Sequence, residues 1–530
     1  MPCPPEPPLP PPPCCTGFSA CLAWPREWNA SDPPPTPLQR RLAASLARHW
    51  LAPFSRAGIT PPRLFASSAT SRLAEARLCP IVQLLSHRLY LVASPQLRLL
   101  DMRLPRCDAA PIPGDDTPDF CPHPTCRTQR RAWERHRLHA ALRLLSHAAR
   151  ASPHALPDLE LRLCADDSCH GVWESPRRAR PLFTMASCAD APTLPLVQWN
   201  AEDGGRDVDL SAWDEALAAA AARGAGRLGA AAWRCRSAAA IFRGAANQRH
   251  AYNGAWSDGG GVARARTTAA NFNASGRWAL VGARLAAPRL LNVRLSVLRR
   301  GEAILGARSD PPLYARRVAA VSSDAPPRPS LEAQAAAHKL LLHVEGHGGW
   351  ADRLKHLLPL GAAVLKQSSG VTEWFEPLLT PAVHFLPVRG DLANLTAAIE
   401  AAHAHDDATR AVAAAAVAFA RDVLPSATIL EYSRQLLGGY AQLMRYRPAR
   451  REGAVAYECW RAVVRRGGAC ARHPLAGRRL TECGFVPRAA EARRRAARFA
   501  ARVPTLRAAA NGSAAADDDE NDACVVLADD

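Results

Sequence analysis

The stretch EGHGGWADRLK, residues 345–355, sets three glycines ahead of an arginine and a lysine. That order suits phosphate binding, because glycines let a ligand approach backbone amides and a following helix N-terminus adds partial positive charge. Gly346, Gly348 and Gly349 supply the close approach, Arg353 a bidentate clamp for a diphosphate, and Lys355 a looser point charge. A Gly-rich strand-to-helix turn is often only a turn. The lysines add an independent sign. Among 67 basic residues only Lys339, Lys355 and Lys366 are lysine, and everywhere outside residues 339–366 the positive charge is arginine.

Other residues with chemical potential are weaker signals. LPDLELRLCADD ends in two acids, Asp166 and Asp167, which either cap a turn or present a carboxylate as general base. His343, His347 and His356 read as packing or surface residues, with His347 able to touch phosphate from the glycine loop. Trp350 and Trp374 read as core or pocket walls, sugar or uracil stacking being the alternative. Cys121, His123 and Cys126, with Cys107 upstream, match no common zinc-finger spacing, and no metal site is expected. The run Asp517 to Asp519 reads as solvated charge.

These residues need a scaffold. From Lys339 the chain alternates KLLLHVE as strand, WADRLKHLL as helix, GAAVLKQ as strand, TEWFEPLL as helix, VHFLPV as strand and DLANLTAAIEAAHAH as helix. Such alternation predicts a parallel sheet with covering helices, whose ligands gather at the carboxyl ends of the strands. Upstream, the same reading gives a helix at 37–52, strands at HRLYLVA and LPDLELRL, a helix in RAWERHRLHAALRLLSHAARA and a strand at RPLFTMAS. An Ala-rich helix at 212–223, a strand at 238–244, the element RWALVGARL and a Pro-rich loop at 311–330 follow. The expected division is a Pro-rich disordered segment at 1–38, a domain at 39–205, a second at 206–446, an Arg/Ala-rich helical extension at 447–504 and a disordered acidic tail at 505–530.

The segment running from KLLLHVEGHGGWADRLKHLL to VHFLPVRGDLANL resembles the signature region of glycosyltransferase family 90, the Rumi-type protein O-glucosyltransferases and capsule-associated xylosyltransferases. AIFRGAANQR is similar to the family's FRG motif, and LPDLELRLCADD with PLFTMAS to its acidic-loop region. The resemblance covers roughly residues 45–445, most strongly from 339 onward. It implies an α/β fold of the GT-B type, with two Rossmann-like domains and a cleft between them. It also implies an inverting transfer of glucose or xylose from a UDP-sugar to a hydroxyl on a protein or glycan, without a bound metal. By motif, Asp167 takes the place of the catalytic base. Arg243 and Gly244 of the FRG motif, Arg249, Gly346, Gly348, Gly349, Trp350, Ala351, Arg353 and Lys355 fall around the nucleotide, and Glu373 matches the acid that holds ribose hydroxyls. Three departures accompany the match. Ala245, Ala246 and Asn247 stand where animal members carry a second arginine, Ala351 where relatives have serine, and Asn292 where the family has aspartate.

The net charge of +19 permits anionic partners, yet the charge is diffuse and aromatic interleaving is poor, so nucleic acid is not expected. A catalytically inactive relative and a basic protein for nucleic acid or an anionic surface are the alternatives. No apolar run is long enough for a membrane span, and AVAAAAVAFA reads as a soluble helix. Sixteen cysteines and the sequons at Asn29, Asn273, Asn394 and Asn511 favour the lumen of the endoplasmic reticulum or Golgi, although no signal peptide is legible.

Overall fold

A computed structural model describes residues 34–61, 80–92, 140–142, 144–149, 156–164, 181–188, 192–196, 210–246, 250–252, 264–266, 276–296, 305, 310–322, 329–346, 351–451, 454–457, 485–487 and 524–526. The chain divides into two compact units, each discontinuous in sequence. The first comprises residues 1–57, 166–180 and 184–439, and the second 58–165, 181–183 and 440–530.

The first unit is built on five parallel strands: β1 (Ala240–Ala245), β2 (Leu291–Ser296), β3 (Leu340–His343), β4 (Ala363–Gln367) and β5 (Leu386–Val388). Their order in the sheet is β2-β1-β3-β4-β5. The chain steps outward from β1 to β2, then returns to the other side of β1 and continues outward, so β1 and β3 flank the topological switch point. Phe242, Val293, Leu295, Leu340, Leu342 and Leu365 share one buried core. Strand periodicity then turns the alternate residues Arg243, Asn292, Leu341, His343 and Lys366 to the opposite face.

Helices join these strands. Gly276–Ala286 follows β1, and Pro311–Val321 and Leu331–Ala337 separate β2 from β3. The segment 311–330, expected as a Pro-rich loop, therefore opens as a helix. Asp310 caps it, its carboxylate accepting from Leu313 N at 2.9 Å, and the prolines sit at the first helical positions, where a missing N–H costs nothing. The helix expected in WADRLKHLL shrinks to Leu354–Leu357 and tightens into a 3-10 turn over Leu358–Leu360, because Pro359 has no N–H to continue the ladder. TEWFEPLL, expected as a helix, begins with the strand residue Thr372 and forms only a 3-10 turn at Glu376–Leu378, where the Glu376 carboxylate accepts from the Glu373 N–H at 2.9 Å. At Gly361, which has φ +70°, the chain passes so close to Gly224 of helix Leu210–Arg227 that a Cβ on either would collide with the other's backbone.

Helix Pro37–Ser55, expected to open an N-terminal domain, belongs to this first unit, where the Trp50 indole donates to Trp374 O at 2.9 Å. AVAAAAVAFA lies in helix Asp406–Val423, whose Val412, Ala416 and Ala420 are buried. No single helix among the described residues is long and apolar enough to cross a membrane, although helices Asp406–Val423 and Ser426–Leu443, bent by 62°, pass together by length and composition.

The sheet of the second unit is mixed. Ile81–Leu85 pairs antiparallel with both Arg88–Val92 and Leu159–Leu163, and Ala454–Ala456, within the segment expected to be helical, adds antiparallel to Arg88–Val92. The two-residue turn at Ser86 and His87, both at positive φ, can join only antiparallel neighbours. Leu159–Leu163 pairs in parallel with Leu182 and Phe183. Glu160 is buried here and accepts from Gln83 Nε2 at 2.9 Å, Arg451 Nη2 at 3.1 Å and the Tyr446 hydroxyl at 3.2 Å. Inside the tail expected to be disordered, Cys524–Val526 pairs with Phe485–Pro487. The basic segment 488–503 lies outside the described residues.

Candidate functional site

The switch point concentrates the charged residues. Arg353, at the N-cap of Leu354–Leu357, is 6% exposed, and its Nη1 donates to Arg243 O on β1 at 3.0 Å. Its guanidinium lies 4.7 Å from the centre of the Phe242 ring. Arg277, in the first turn of Gly276–Ala286, is equally buried; it donates to Ala245 O at 2.9 Å and lies 5.6 Å from the same ring. Two guanidinium groups thus share the Phe242 ring and are each tied to a carbonyl in the carboxyl-terminal half of β1, the end at which parallel sheets receive anionic ligands. Gly244 makes the approach possible: a Cβ there would come within 2.9 Å of the Phe242 ring and 3.3 Å of Arg353 Nη2. Gly346, three residues beyond β3, and Ala351 are buried beside this turn in sequence.

A second group of charges lies past the ends of β3 and β4. Lys355 is 2% exposed and pairs with Asp352 and, at 3.5 Å, with Glu373 Oε2. Burial pushes the Glu373 carboxyl up to about 7, against the pull of Lys355 and with the push of Glu376. Its Oε1 is buried without a hydrogen-bond partner among the described residues. Lys366 pairs with Glu376 at 2.8 Å. His343, in register with Lys366, is held neutral well below the usual imidazole value by burial and then by Lys366, Arg353, Arg277 and Lys355. His356 packs edge-on against Trp213 at 5.3 Å.

Arg353, Lys355, Glu373, Gly244, Gly346 and Ala351 are therefore held on the loops and strand ends of one sheet. The Arg243 side chain turns away. Its Nη1 and Nη2 donate to Asn292 O at 2.6 Å and Asn292 Oδ1 at 2.8 Å, and Asn292 stands level with Ile241, two residues back toward the amino ends of the strands. What Arg243 offers the switch point is its backbone carbonyl. Arg277, which the sequence reading passed over, occupies the cationic place beside Arg353. Its signal was a basic residue in the first turn of the helix after β1, the same arrangement as Arg353 after β3. Asp167, Arg249, Gly348, Gly349, Trp350 and His347 lie outside the described residues. Among the described residues no three His, Cys, Asp or Glu side chains are grouped to hold a metal ion. Cys164 and Cys235 are each disulfide-bonded.

Residues 293–474 match the sequence model described as Glycosyl transferase family 90. Protein O-glucosyltransferase 1 of Homo sapiens is 34% identical over 101 residues, 19% of this chain and 26% of that protein. Protein O-glucosyltransferase 2 of Danio rerio is 34% identical over 116 residues, 22% of this chain and 23% of its own length. Uncharacterized protein 035R of Invertebrate iridescent virus 3 is 37% identical over 111 residues, 21% of this chain and 10% of that protein. The chain thus spans about a quarter or less of these relatives' lengths. The matched segment 293–474 holds β3, β4, β5 and the Arg353 turn, so it is in this part of the chain that the similarity to glycosyl transferase family 90 lies.

Proposed function

We propose that the protein is an inverting glycosyltransferase that moves glucose or xylose from a UDP-sugar to a hydroxyl of a protein or glycan acceptor. The observation that carries this reading is the pair of buried guanidinium groups, Arg277 and Arg353, stacked on Phe242 at the switch point of a parallel sheet within a family 90 segment. In such a transfer the bond between the anomeric carbon and the diphosphate oxygen breaks as the acceptor oxygen attacks from the opposite side. The departing UDP carries the developing negative charge, which Arg277 and Arg353 neutralise from fixed positions without reorganising water. They do so in place of a metal, and no cofactor beyond the UDP-sugar is called for. Glu373, with one oxygen on Lys355 and the other without a hydrogen-bond partner among the described residues, accepts hydrogen bonds from the ribose hydroxyls. Asp167 takes the proton from the acceptor hydroxyl as it attacks.

With this reading go the GT-B type of architecture that the resemblance implies and a place in the lumen of the endoplasmic reticulum or Golgi, which the disulfides at Cys164 and Cys235 favour. The printed names of the relatives favour glucose as the sugar and protein as the acceptor. The test is thermal unfolding with UDP, followed by hydrolysis of a panel of UDP-sugars. UDP is expected to raise the melting temperature, and one UDP-sugar to turn over faster than the rest. A folded protein that UDP does not stabilise at any concentration would sink the assignment. Asp167→Asn is expected to abolish transfer and leave UDP stabilisation intact.

A further inference from the structure

The side chain of Arg243 ends in a chain of hydrogen bonds that has only one consistent assignment. His338, the C-cap of helix Leu331–Ala337 and 7% exposed, places Nδ1 2.8 Å from Ala239 O. A carbonyl only accepts, so Nδ1 carries a proton. Nε2 lies 3.1 Å from Asn292 Nδ2, an amide nitrogen that only donates, so Nε2 must keep its lone pair. The amide is thereby oriented with Oδ1 toward Arg243 Nη2, a donor with no acceptor capacity. Each partner is satisfied only if His338 is the neutral Nδ1–H tautomer.

We propose that His338 and Asn292 are positioning residues that set the Arg243 guanidinium, and through β1 the Arg243 carbonyl that holds Arg353, and that they do so only while His338 is neutral. A proton on Nε2 would set two donors face to face. Turning the amide relieves that clash but then points its NH2 at Arg243, so the clash moves one bond along. Burial and the nearby Arg243 charge hold His338 below the usual imidazole value, the bond to Ala239 O acting the other way. Among the described residues the carboxylates on the packed elements are already paired. Glu332 of Leu331–Ala337 is taken up by Arg223 and Arg227, and Asp406 by Lys339. Arg236 reaches the His338 carbonyl at 3.4 Å, Arg294 adds its charge to that of Arg243, and His403 is engaged with Ala238 O.

The relay is independent of the proposed function; only its link to the nucleotide rests on that reading. A depressed imidazole value in the fold gives stability that is present above about 6.5 and lost as pH falls below it. An aspartate at 292 would accept from Arg243 and from an imidazolium together. A glutamine at 338 would donate to Ala239 O and accept from Asn292 without titrating. The experiment compares the full chain with Asn292→Asp and His338→Gln, measuring melting temperature and UDP affinity between about pH 7.5 and about pH 5.5. On acidification the parent is expected to lose about 2–4 °C more than either variant. Its UDP affinity is expected to fall about tenfold further, because Arg353 loses its fixed partner. Equal acid slopes of melting temperature in all three proteins would overturn the relay, and should Asn292→Asp not fold, His338→Gln decides alone. Equal UDP slopes with unequal melting slopes would overturn the link to Arg353. Absence of UDP binding in the folded parent at every pH would sink the proposed function, and the melting slopes would still decide the relay.

Discussion

Two guanidinium groups lie against one phenyl ring at the switch point, and each is also tied to a carbonyl of β1. Planarity matters there as much as charge, because a guanidinium can stack and still direct hydrogen bonds outward. Arg353→Lys is therefore expected to keep the fold yet weaken UDP binding about tenfold or more, the worth of a charged hydrogen bond being about 1.5–3 kcal/mol, as titration calorimetry would read. Glu373 gives a pH prediction of the opposite sign to that of His338. Its folded value of about 7 lies above the ordinary 4.5, so its contribution is full below about 4.5 and is lost as pH rises through about 7. Glu373→Gln should remove that part of the alkaline loss in melting temperature, and an unchanged slope from pH about 5 to about 7.5 would place the titration elsewhere. Arg353, Lys355 and Glu373 were legible because a Gly-rich turn and a family motif bracket them. Arg277 was not, because no glycine run stands immediately ahead of ASGRWAL, and the direction of the Arg243 side chain depends on Asn292, which is distant in sequence.

At the scale of elements, the parallel sheet could be read because short apolar runs alternate with helical spacing from Lys339 onward. The helix at Pro311–Val321 was missed because its prolines look like loop residues until Asp310 is recognised as the cap that puts them in the first turn. The antiparallel hairpin escaped for a related reason: Ser86 and His87 adopt positive φ without the glycine or asparagine that usually announces such a turn. Gly244 is where β1 and the Arg353 turn constrain each other most tightly. Gly244→Ala is expected to displace Arg353, costing about 1–3 kcal/mol of stability by overpacking and weakening UDP binding more than it lowers the melting temperature. Wild-type UDP affinity in that variant would show that the guanidinium has room to yield.

Across the whole molecule the arginines do not form a simple basic surface. Arg236 donates to the carbonyls of Ala335, Gly361 and Arg227 while stacking on Trp233, and Arg227 reaches Leu360 O and Glu332. Part of the +19 charge is thus internal fastening, which is why composition alone named no partner. In the second unit the same device joins Arg451 to Glu160. Glu160→Ala is expected to cost about 1–3 kcal/mol, reduced from a fully buried pair because Arg451 can regain water. Denaturant unfolding would read that loss, and UDP affinity at the first unit is expected to stay at the parent value. The division of the chain into two interleaved units was not legible, because helix Pro37–Ser55 packs with residues more than three hundred positions away, as the Trp50 to Trp374 hydrogen bond records.

The close passage of Gly224 and Gly361 bears on how this sequence can change with time. Each glycine leaves room for the backbone of the other, so widening one side gains nothing while the other segment stays where it is. The two positions are therefore coupled in mutational terms: neither accepts a side chain alone, and a change at both requires helix and turn to separate together. In a sequence rich in alanine and arginine, these are two sites at which a neighbour far away in the chain requires glycine.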